Sequence, residues 1–243
     1  MKNVLFITVL LTSCMSRTFS QGENEDPSFA KTKDLVISST SVKYDSDLEL
    51  LVFSMTVEGN AGATVPKEAG QLDGAPVLGY VFPTNLKSTD VGFGEAEGIV
   101  ALALTSHPDF DDTPLWDENS DRNFGNDGVI WHSHWVVLES NKAVAGGLSV
   151  KQFDPETDNV TLPPTNPGMP MYMDSPGFHV VTKGNQIRVL VPTFRMAGKT
   201  SFNFDAVAAY MQVNTSKEEL PMLGVYAVYS VASGDLSLPY SVK

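Results

Sequence analysis

Two histidines one residue apart, His132 and His134, sit between two tryptophans in the stretch "GVIWHSHWVVLE", residues 128–139. The stretch is rich in β-branched and aromatic residues, which predicts a strand. Side chains alternate across a strand, so Ile130, His132, His134, Val136 and Leu138 share one face. Trp131, Ser133, Trp135, Val137 and Glu139 share the other. Two imidazoles on one face stand about 7 Å apart at their backbones, close enough to reach one ion. All four histidines of the chain fall between His107 and His179, and all three tryptophans between Trp116 and Trp135. This clustering predicts a divalent transition-metal site, with zinc, iron or copper as the ion. His179 or His107 is the expected third ligand, and Glu139 is a candidate carboxylate. Trp116, Trp131 and Trp135 are the candidate walls of a ligand pocket. The bland alternative is a pair of ordinary strand histidines, one hydrogen-bonded in the core and one near the surface.

Two further segments offer ligands of other kinds. In "DENSDRNFGNDG" the oxygen-bearing Asp117, Asn119 and Asp121 alternate, and Asn126 and Asp127 follow before a glycine. Hard oxygens in that pattern suit calcium, and so many carboxylates beside a lone Arg122 repel one another without a cation. The loop resembles the start of an EF-hand-like calcium loop, without its central glycine and closing glutamate. In "GMPMYMDSPGFH", Met169, Met171 and Met173 alternate ahead of His179. Thioethers with imidazole select copper, and such runs look like those of periplasmic copper-handling proteins. Methionines as flexible apolar filler are the simpler reading of the same residues.

The stretch "HSHWVVLESNKAVAG" resembles the cupin metal motif: HxH, four residues, Glu139, six residues, Gly146. That resemblance implies a metal-dependent enzyme on a β-barrel, with His132, His134 and Glu139 as ligands. The motif's leading glycine is Asn126 here. The segment "SPGFHVVTKGN" offers His179 for a second half-motif with altered spacing. Strand parity turns Glu139 away from both histidines unless a bulge intervenes.

These residues need a scaffold, and the strand rhythm supplies one. From Asp34 onward, runs such as "LELLVFSMTV", "APVLGYVF", "GIVALALTS", "NQIRVLVPT" and "LGVYAVYSV" alternate with Gly, Pro, Asn and Asp punctuation. "DAVAAYMQV" reads as strand or as a short helix capped by Asp205. "SKEELP" reads as one helical turn with Ser216 and Glu219 as a capping box. About ten strands in roughly two hundred residues predict an all-β fold, a single antiparallel sandwich or jelly-roll-like domain over 34–243. Two long loops, 106–128 and 154–177, interrupt it and are expected to be functional.

The start of the chain, "MKNVLFITVLLTSC", resembles an export signal, with a lipobox cysteine at Cys14 or cleavage after Ser20. Residues 21–33 read as a flexible tether. Cys14 is the only cysteine, so no internal disulfide forms and cysteine catalysis is excluded. The formal charge of −13, without a basic cluster, excludes nucleic acid as a partner. Membrane contact is expected only through a lipid anchor. No GxSxG elbow, Walker loop, dinucleotide fingerprint or CxxC is present. The sequence thus predicts an exported, lipid-anchored or secreted metal-binding β domain. A cupin-like metal-dependent enzyme is one alternative. A calcium-stabilised module binding a small molecule or carbohydrate is the other.

Overall fold

The computed structural model describes residues 29, 32–68, 70–109, 119–123 and 125–243. The expected leader and Cys14 lie outside the described residues, as do Trp116 and Asp117. The domain is all-β and antiparallel. β1 (Ile37–Asp45) and β2 (Leu50–Val57) form a hairpin, and β9 (Gln186–Pro192) and β8 (His179–Lys183) extend it into a four-stranded sheet. Its turn is fixed by the Asp45 carboxylate, which accepts the backbone N–H groups of Asp47 and Leu48.

The second sheet curls until its ends meet. It comprises β3 (Pro76–Pro83), β4 (Ile99–Ser106), β5 (His132–Ser140), β6 (Leu148–Val150), β7 (Met173–Asp174), β11 (Val207–Val213) and β12 (Leu223–Val231). The strands run β4-β3-β11-β12-β6-β5, and β5 pairs back onto β4. β7 lies along β5 beside β6, pairing with Trp135 and Val136. A small ribbon of β10 (Asn203–Phe204) and β13 (Tyr240–Ser241) completes the fold.

The alternation of each barrel strand divides the apolar residues into two cores. Leu78, Tyr80, Phe82, Leu102, Leu104, Trp135 and Val137 point out of the barrel. They meet Leu51, Phe53, Met55, Ile187, Val189 and Val191 of the four-stranded sheet. Phe53 sits at the centre of this layer, edge-on to Phe82 and Trp135 and stacked near Phe202. Val77, Val81, Ala101, Ala103, Val136, Ala209, Met211 and Val225 point into the barrel.

One local ambiguity is settled, and two local expectations resolve differently from their first reading. The ambiguous "DAVAAYMQV" is strand β11, because both its edges are paired, with β3 and with β12. "SKEELP" is a turn rather than a capped helical turn. The side chain of Asn214 organises it, donating to the carbonyls of Lys217 and Leu220 and accepting from Lys217 N–H. Phe29, within the expected tether, is buried against Tyr210.

Removing the ring at the centre of the inter-sheet layer would leave a cavity that its rigid aromatic neighbours cannot fill. Phe53→Ala is therefore expected to cost about 3–5 kcal/mol. Urea unfolding should show this as a lowered midpoint with an unchanged slope.

Candidate metal centre

β4 and β5 bring the histidines together. In their register Thr105 lies opposite His132, and Ala103 opposite His134. His107 is two residues beyond Thr105, so it continues the same inward face just past the end of β4. Ala103 is small enough to leave room for the imidazole across from it. The three rings are 2–3% exposed. Their centroids stand 4.9 Å apart for His107 and His132, and 4.8 Å for His132 and His134, each pair edge-to-face. One ligand nitrogen from each lies within 4.8 Å of the others, so the trio could hold a metal ion.

Hydrogen bonds orient the rings. His107 Nδ1 lies 2.8 Å from the Pro108 carbonyl, and His132 Nδ1 lies 2.6 Å from the Ile130 carbonyl. A carbonyl oxygen can only accept, so each Nδ1 carries the proton. In the neutral ring each Nε2 is then a lone pair. These two Nε2 atoms face each other at 3.1 Å. Nitrogens held about 2.0–2.1 Å from a tetrahedral ion stand about 3.3–3.4 Å apart. The observed spacing is close to that of two imidazoles on one metal, with backbone carbonyls fixing the tautomers as outer partners do. His134 Nδ1 lies 3.0 Å from the Ser175 hydroxyl, which leaves Nε2 as its second ring nitrogen. The Thr105 hydroxyl, 3.2 Å from His132 Nε2, is a further polar group at the centre.

Burial also keeps the His132 and His134 rings uncharged. Desolvation, reinforced by the neighbouring imidazoles of His134 and His107, pushes the His132 pKa well below its ordinary value. Desolvation, with His107 adding to it, lowers His134 to about 3. Neutral imidazoles are the form that ligates a metal.

The other predicted residues are placed elsewhere. His179 opens β8 on the four-stranded sheet, opposite Leu190, with its side chain exposed. Glu139 pairs with Ser149 on β5 with the parity of Trp135, facing away from the histidines. Ser133 also points outward, where its hydroxyl accepts the backbone N–H of Phe178. Trp131 and Trp135, expected to wall a ligand pocket, pack in the inter-sheet core instead. Trp131 Nε1 donates to the Gly62 carbonyl, and its ring lies 4.7 Å from that of Tyr80. Their place follows from alternation: a strand that turns its histidines into the barrel must turn its tryptophans out.

In the acidic loop, the Asp121 carboxylate accepts from the side-chain amides of Asn119 and Asn126 and from the backbone of Asn123. These amide donors, Asn126 foremost, lower its pKa and stabilise the ionised carboxylate. Asp127 is buried, and its backbone N–H donates to Asp109. Met171 and Met173 are buried in the barrel core, with Met169 packed beside them. Thr105 and Ser175 were not singled out from sequence. Their signal is the β4–β5 register and the return of the chain after β7, neither of which a single strand's pattern reveals.

Beside the trio lies a cavity of about 260 Å³ within the barrel, with Thr105, His107 and His134 in its wall. A metal on the three rings would have protein on one side and the cavity on the other. That is the arrangement in which a coordination position stays open.

Metal-free protein should lose stability in mild acid. The folded pKa values of His132 and His134 lie below the ordinary 6.5, so below that pH the unfolded chain binds protons that the folded one refuses. Stability is complete at neutral pH and falls as pH drops below 6.5, for His134 down towards about 3 and for His132 in the same direction. A single ring excluded from protonation, such as His134, contributes about 1.4 kcal/mol per pH unit within its window. Urea midpoints of chelator-treated protein at pH 7 and pH 5 measure this, and a flat profile would contradict the neutral assignment of His132 and His134.

Comparisons with known protein families, with characterised proteins and with solved structures find no match for this chain.

Proposed function

We propose that the protein is a mononuclear transition-metal protein, with His107, His132 and His134 as ligands and the barrel cavity as the space for a bound small molecule. The observation that carries this reading is the pair of Nε2 lone pairs 3.1 Å apart, each set by an Nδ1–H donated to a backbone carbonyl. Two lone pairs at that distance repel, and a shared cation turns the repulsion into two bonds. An all-imidazole set suits zinc, iron or copper better than calcium or magnesium, which prefer oxygen. Ser175 positions the His134 ring through a hydrogen bond to its Nδ1.

The cupin-like enzyme expectation has support in the barrel and the HxH strand, with one change of ligand. His107, at the end of the neighbouring strand, takes the place that the motif gives to Glu139. An ion with an open position toward a dry cavity can polarise a carbonyl or activate a bound water, which makes metal-dependent catalysis the natural use of the site.

Protein purified without an affinity tag and dialysed is expected to carry one transition-metal ion per chain by plasma mass spectrometry. His107→Ala and His132→Ala should reduce the content at least tenfold, whereas His179→Ala should leave it unchanged. Equal metal in the wild type and both ligand variants would overturn the assignment.

A further inference from the structure

The cavity beside the histidines has a chemistry of its own. Its walls are aliphatic: Val77, Val81, Ala103, Val136, Ala209 and Met211 are among them. At the end away from the histidines the polar side chains are already engaged by the protein. Thr84 donates to the Val100 carbonyl and accepts from Leu86 N–H, while the Asn85 side-chain oxygen accepts from Asn203 N–H. The polar terminus of the cavity is therefore the histidine end. A ligand here has an apolar body and one polar head, with the head at the trio.

Size and charge narrow it further. A dry cavity of about 150 Å³ holds benzene, so about 260 Å³ holds a body of roughly ten carbons. A divalent ion on three neutral imidazoles would leave two positive charges in a low-dielectric interior. Among the described residues, the group within ligand distance contains imidazoles and no carboxylate. Asp174 is held by Thr165 and faces Arg195. An anionic head supplied by the ligand would lower that cost.

Resting on the metal reading above, we propose that the barrel binds a medium-length organic carboxylate, its oxygen on the metal and its hydrocarbon body filling the barrel. The far mouth fits passage of such a body. Ile99, exposed, and the half-buried Leu236 and Leu238 border it. Both leucines hold left-handed backbone, with φ of 60° and 55°. The loop that carries them is tied down by Ser233, which donates to the fully buried Asp205 and accepts from Leu236 N–H.

The test uses full-length protein loaded with cobalt(II), whose visible absorption reports coordination. Sodium decanoate is titrated against sodium acetate, which has the head without the body, and toluene, which has the body without the head. Decanoate is expected to shift the cobalt bands at least roughly 1000-fold below the concentration acetate needs, since its eight extra methylenes, at roughly fourfold each, give about 10⁴-fold or more when fully buried. Toluene is expected to leave the bands in place and to compete with decanoate. Ala209→Phe, which fills the cavity, and Leu238→Trp, which blocks the mouth, should keep cobalt and lose the preference for decanoate. Cobalt uptake with decanoate no better than acetate would overturn the ligand proposal and leave the metal site standing. Failure of the wild type to take up cobalt at all would overturn both.

Discussion

The pairing of β5 back onto β4 is the interaction on which the rest depends. It closes the barrel, so that neither strand presents an unpaired edge. It also sets Thr105 opposite His132 and places His107 one step beyond. A slip of one residue in this register would send His132 and His134 into the inter-sheet core and the tryptophans into the barrel. The hydrophobic demands of the two cores therefore protect the register, and the register in turn assembles the histidines. Stability and site geometry are consequences of one ladder of hydrogen bonds.

The two faces of that ladder do different work. Outside the barrel, large rings fill the layer against the four-stranded sheet, and Trp135 and Phe53 are packed to near-complete burial. Inside, the strands carry smaller residues such as Gly79, Ala101, Ala103 and Ala209, and the space they leave is the cavity. The same β5 backbone supplies a tryptophan to the packed layer and a histidine to the open one. The rigidity of the first holds the second in place, as positioning ligands on strands backed by a dense core requires.

Much of this was legible from the sequence, and the limits have physical causes. The strands, the all-β class and the opposition of His132 and His134 to Trp131 and Trp135 follow from period-two alternation, a local property. The turn at Asp45 follows from its side chain. Which histidine joins the pair does not follow, because the choice between His107 and His179 depends on strand neighbours far apart in sequence. The methionines near His179 and the parity-challenged Glu139 drew attention to positions that the topology sends elsewhere. The cavity is not visible in any one strand either, since a run of alanines and valines reads as core until the ring closes. The acidic loop shows the reverse effect. Its asparagines, which resemble extra calcium ligands in sequence, are the donors that satisfy Asp121 in the structure.

His107 and His132 lie twenty-five positions apart, one where the long loop leaves the barrel and the other where it returns. An ion bridging them would act as a clasp on that loop. In a chain whose sole cysteine is Cys14, a coordination bond would do at this point what a disulfide does in other proteins. The residues between could then vary in length and composition without loosening the ends, because the ends would be fastened by chemistry and not by the loop's own contacts. Conversely, any motion that peels the loop away from the barrel would have to break a metal–nitrogen bond. Occupancy of the centre and closure of the loop would thereby become a single event.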